Sequence, residues 1–182
     1  MRELAPLYEL LARLLTSEVD ATLLSSLKAP EAGALFERLA PGFLAEEPDL
    51  DDLAGEFAAL FLIPGGAPPF ASAWAPEGAP EELPERIASF VHKAMEVLSV
   101  EQSGAAGRLS LDHAGLLCAL VARGLEGNEH EQDLARHVRE EALAPWAPRF
   151  GEAVAAKASS KVYQAAGALL VSLHGGRAEA DA

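Results

Sequence analysis

Apolar residues return every three to four positions along most of this chain, the spacing that gathers side chains on one face of an α-helix. Leu4, Leu7, Tyr8, Leu11 and Leu15 form the first such stripe. Leu23, Leu24 and Leu27 mark a second helix between Asp20 and Lys28. A third runs from Glu31 to Leu39, after Pro30, and Pro41-Gly42 ends it. Leu50, Leu53, Ala54, Phe57, Leu60 and Phe61 share a face of a fourth, which Asp49 can cap and Pro64 stops. Leu83, Ile87, Phe90, Val91, Ala94 and Leu98 stripe a fifth, with Pro84 in its first turn.

After a break at Gly104 to Gly107, Asp112 opens a helix carrying Leu116, Leu117, Leu120 and Val121. Asn128 caps a strongly charged helix with Leu134, Val138 and Leu143 inward. Pro145 and Pro148 bracket Trp146. The last helix carries Val162, Tyr163, Ala166, Leu169, Leu170 and Leu173, and Gly175-Gly176 stops it. No segment alternates as a half-buried strand would. The pattern predicts an all-α fold: one domain over residues 1–182, a helical bundle of about eight helices, with 175–182 as a frayed tail.

One stretch breaks the pattern. Phe57 to Pro76 is twenty residues without a charge. That length could span a membrane. Pro64, Gly65, Gly66, Pro68, Pro69 and Pro76 exclude it, because each break would leave backbone groups unpaired in hydrocarbon. The stretch is therefore a helix end followed by one long apolar loop, from Pro64 to Glu81. Loops of that length are usually functional or disordered, and the apolar content argues against disorder. An apolar loop is either covered or receives a partner.

Charge narrows the partners. The net charge is −14, with acids spread along the chain. A basic footprint for phosphate backbones is absent, so nucleic acid is not expected. The run Glu81, Glu82 and Glu85 after the apolar loop suits the start of a helix, and beside an apolar groove it could also meet arginines. The N-terminus lacks the basic, apolar and small-residue regions of a secretory signal, so a cytoplasmic location is expected, without stable membrane insertion. Cys118 is the one cysteine, within the apolar run 115–121, and reads as a core residue.

Candidate chemistry is sparse. The chain has no phosphate-binding glycine loop, no zinc-protease motif and no nucleophile elbow, and no cofactor is called for. None of the five histidines pairs with another at a spacing of three or four, so no metal site is expected. Asp112-His113 has two readings. In one, Asp112 caps the helix and His113 is partly buried and hydrogen-bonded. In the other, the pair works as acid and base, although no nucleophile accompanies it.

These residues resemble a known family. Leu60-Phe61, then Pro64, Pro68-Pro69-Phe70, Ser72 and Trp74 are similar to the signature of the TorD/DmsD/NarJ chaperones. Ser110-Leu111-Asp112-His113-Ala114 resembles that family's second motif, with Ser110 or Leu111 where proline is usual. Trp146, Phe150, Val154 and Tyr163 are similar to its C-terminal helices. The resemblance implies an all-helical cytoplasmic chaperone, not an enzyme. Such chaperones bind the twin-arginine signal peptide, or N-terminal tail, of a molybdoenzyme catalytic subunit. They hold it back from export until the molybdopterin cofactor is inserted. Carried over by position, the peptide-binding residues are Leu60, Phe61, Pro69, Phe70, Ser72, Trp74, Asp112 and His113. The protein would act as a monomer or as a helix-exchanged dimer. The other readings are a helical assembly subunit docking on a folded partner, and an enzyme dependent on Asp112 and His113.

Overall fold

The helix starts follow from short polar side chains placed ahead of apolar runs. In a computed structural model describing residues 2–74, 83–98 and 109–175, the Asp20 carboxylate accepts from the Leu23 N–H at the head of α2 (Ala21–Leu27). Asp49 accepts from the Asp51 N–H at the head of α4 (Leu50–Phe57). Asn128 and Glu131 form a reciprocal capping box on α8 (Glu129–His137). Ser160 caps α10 (Lys161–His174). The remaining helices are α1 (Ala5–Thr16), α3 (Pro30–Leu39), α5 (Ala71–Trp74), α6 (Leu83–Val97), α7 (Ala114–Glu126) and α9 (Ala147–Lys157). Among the described residues there are ten α-helices and no strand, apart from one isolated bridge between Phe70 and His113. The all-α expectation holds.

Two helices exceed the eight expected. Helix α5 is a single turn inside what reads as loop, and α9 starts directly after Trp146. The fourth helix also ends differently. Beyond Phe57 it widens into a π-turn over Ala58–Leu62, closed by the Ile63 N–H donating to the Ala58 carbonyl. The Leu60 carbonyl accepts from the Ala67 N–H instead of from a helical neighbour. The expected break at Gly104 to Gly107, Glu81 and Glu82 of the acidic run, Pro76 and most of the 175–182 tail lie outside the described residues.

Contacts divide the chain into two compact units, Met1–Thr16 with Pro69–Ala147, and Ser17–Pro68 with Pro148–Ala182. In the first, α1 lies along α7, which also packs on α8 and α6. Tyr8, Leu11 and Leu15 of the expected stripe are buried, joined by Leu14, whereas Leu4 and Leu7 are only half-buried. Cys118 lies in this core, where burial pushes its thiol up to about 12 and leaves it unreactive.

In the second unit α10 packs on α3. Helices α9 and α10 meet backbone to backbone at Gly151 and Gly167. A Cβ on either would come within 2.6 Å of the other's carbonyl oxygen. Phe61 fills the middle of this unit, with ring centres 5.3 Å from Phe57, 6.3 Å from Phe150 and 5.7 Å from Tyr163.

Candidate functional site

The eight residues singled out from the sequence fall into both units. Pro69, Phe70, Ser72, Trp74, Asp112 and His113 belong to the first, and Leu60 and Phe61 to the second.

In the first unit, the segment Pro69–Trp74 is held by the residues that precede α7. The Ala114 N–H donates to the Pro69 carbonyl at 2.8 Å, and the Ala71 N–H to the Asp112 carbonyl at 3.1 Å. The Asp112 carboxylate accepts from the Ser72 N–H at 3.2 Å and from the Ser110 hydroxyl. The Phe70 ring stands edge-on to the His113 imidazole, with centres 5.3 Å apart. These contacts explain why α5 forms inside the apolar stretch: its first N–H groups receive acceptors from Asp112.

Asp112 therefore does not cap α7, which corrects one reading of its sequence position. The cap is His113, whose Nδ1 accepts from the Gly115 N–H at 3.0 Å. That bond needs an unprotonated Nδ1, so the neutral ring carries its proton on Nε2. Burial pushes the imidazole down to about 4, against an opposing pull from the Asp112 charge. Asp112 and His113 each serve a different stretch of backbone. The geometry supports the buried, hydrogen-bonded reading of His113.

Burial separates the eight candidates into two groups. Leu60, Phe61, Pro69, Asp112 and His113 are buried. Phe70 and Trp74 are half-buried and Ser72 is exposed. Only the last three offer side-chain surface to a ligand without rearrangement.

The second unit contains a feature that the apolar pattern did not reveal. A groove of about 740 Å³ runs beside α4. Its lining includes Leu53 and Leu60 together with four acids, Glu46, Asp49, Asp52 and Glu56. Asp49, Asp52 and Glu56 lie at offsets of zero, three and seven, a helical stripe already legible in the sequence. The groove closes at Gly65-Gly66. Gly65 takes φ +92°, where a side chain would be strained, and a Cβ on Gly66 would sit 2.3 Å from the Leu60 carbonyl oxygen. Leu62 and Ile63, which follow Leu60 in the chain, are 66% and 55% exposed. Among the described residues, no three His, Cys, Asp or Glu side chains converge as a metal site requires, and no helix is long and apolar enough to cross a membrane.

Comparison with known proteins places these features in context. A family described as nitrate reductase delta subunit matches residues 27–152. The chain is also similar to the chaperone protein TorD of Shewanella loihica, at 28% identity over 184 residues. That alignment covers 88% of this chain and 84% of the relative.

Proposed function

Because the chain belongs to the nitrate reductase delta subunit family, a family of maturation chaperones and not of enzymes, we propose that it binds the twin-arginine signal peptide, or the N-terminal tail, of a molybdopterin-containing oxidoreductase subunit. It then assists cofactor insertion and maturation in the cytoplasm before export. The observation that carries this reading is the family match over residues 27–152.

The segment Pro69–Trp74 supports it. Phe70 and Trp74 keep part of their rings uncovered on a backbone already hydrogen-bonded to Asp112 and Ala114. A rigid aromatic platform loses little entropy on binding, and each Å² of apolar surface it covers contributes about 25 cal/mol. Phe70, Ser72 and Trp74 touch the peptide in this proposal. Asp112 and His113 act through the segment they hold. Leu60 and Phe61 keep the α4 end in shape. A disordered leader that orders on binding gives moderate affinity, about micromolar, which suits a chaperone that must release its client.

Calorimetric titration with candidate leader peptides tests the reading. Trp74→Ala is expected to weaken binding by about 1–3 kcal/mol with the fold intact. Unchanged affinity removes Trp74 from the site, and no heat with any leader removes the reading itself. A second reading, docking on the folded body of a partner, is favoured by the exposed Leu62 and Ile63. Binding to a folded enzyme lacking its leader would select it.

A further inference from the structure

We propose that the groove between α6 and the π-turn Val138–Leu143 docks an acidic segment of a partner protein, one with a carboxylate on either side of an apolar side chain. This goes beyond leader binding, because the basic pair of a leader would be repelled here.

Along α6, Arg86, Ser89, Phe90 and Lys93 fall at offsets of zero, three, four and seven, so they share one helix face. The helix packs on the π-turn within the first unit. Between them lies a groove of about 400 Å³, in the range of ligand sites, and all four side chains line it. Ile87 and Ala142, both buried, give it an apolar base. Phe90 is half-buried there.

Charge identifies the partner. The chain has 28 acids against 14 lysines and arginines, so a cation on its surface has acids in excess to pair with. Arg86 and Lys93 are nevertheless exposed, and neither has an ion pair or hydrogen bond among the described residues. In the adjoining turn, by contrast, Arg139 pairs with Glu140 at 3.8 Å. The groove's lining holds two cations against one acid, Glu141, which makes it locally positive on a protein of net charge −14.

Spacing favours a peptide over a compact anion. Seven residues of helix set the Arg86 and Lys93 backbones about 10 Å apart. A single phosphate or carboxylate would have to draw both long side chains inward, at a cost in side-chain entropy. Two separate carboxylates meet the cations where they stand, the Arg86 guanidinium through a two-pronged bond. The apolar residue between them covers the Phe90 ring. On a helical partner the matching carboxylates are again seven residues apart.

The test uses the full chain and two synthetic helical peptides, read by fluorescence anisotropy at low salt. One carries Glu, Leu and Glu at offsets of zero, four and seven. The other has Gln in place of both Glu. The parent protein is expected to bind the Glu peptide about tenfold more tightly. Arg86→Gln with Lys93→Gln should abolish that preference. Glutamine matches both residues in helix propensity, so the thermal midpoint should not move. Equal affinity of the parent for both peptides, or a preference that survives in the double variant, overturns the proposal. Competition by inorganic phosphate at constant ionic strength also overturns it, by marking a small-anion site. Self-association of the parent that the double variant lacks does the same, by making a second copy the occupant. An Arg-Arg leader peptide should bind the double variant no more weakly than the parent. A loss there would place the groove in the leader site and overturn the assignment, while leaving leader binding standing.

Discussion

The two halves of the uncharged stretch Phe57–Pro76 solve the same problem in opposite ways. From Pro69 to Trp74 the chain is apolar, yet polar groups hold it: the Asp112 carboxylate and carbonyl, the Ala114 N–H and a neutral His113 ring. From Ala58 to Pro68 the chain is held by packing, with Leu60 and Phe61 buried, while Leu62 and Ile63 are turned outward. The first half shows that buried polar residues beside an apolar segment can be its scaffold and need not be its chemistry. The second shows that packing can hold one face of an apolar run while its opposite face stays in water.

The comparison breaks first at Phe61. Its ring meets three other aromatic rings in the second unit. Phe61→Ala should cost about 3–5 kcal/mol, read as a lower denaturation midpoint. A cost below about 1 kcal/mol would mean that the Ala58–Pro68 half is not held by packing.

A smaller effect tests the polar half. His113 is neutral in the fold, held at about 4 by burial against an ordinary 6.5. A depressed folded value means that the unfolded chain binds the proton first. Stability is therefore complete above about 6.5 and is lost as pH falls toward 4. The loss attributable to this ring should reach about 2–3 kcal/mol. His113→Asn keeps an acceptor for the Gly115 N–H without titrating, so its stability profile should be flatter over that interval. A slope equal to the parent's would show that His113 does not govern it.

The smallest expected effect is at the exposed knuckle. Leu62→Ser with Ile63→Ser should leave stability within about 0.5 kcal/mol, because both side chains already face water. The same variant should weaken capture of the client in a pull-down if this apolar surface is used. Unchanged capture would confine recognition to other surfaces.

Most helices were legible because periodicity and caps agree. Asp49 and Asn128 cap the helices their positions suggested, and Tyr8, Leu11 and Leu15 lie in the core. Helix α5 was not legible, because one turn of Ala-Ser-Ala-Trp carries no periodic signal. It forms where Asp112, forty residues away in sequence, supplies its acceptors. The groove was half legible. The stripe of Asp49, Asp52 and Glu56 is in the sequence, but an acidic stripe normally reads as a solvated face. The Ser159-Ser160 turn and the Gly65-Gly66 close approach make it one wall of a cavity.

By itself, the sequence determined the all-helical class, the exclusion of a membrane span by Phe57–Pro76, and the residues that carry the family resemblance. Local rules suffice for these, because helix periodicity, proline breaks and motif order involve residues near one another in the chain. Only the tertiary structure decided that Asp112 holds Ser72 and does not cap α7, and that five of the eight candidate residues are buried. It also decided that the four acids line one groove. Those outcomes depend on which distant groups compete for the same donor or the same buried space, and no local pattern encodes that competition.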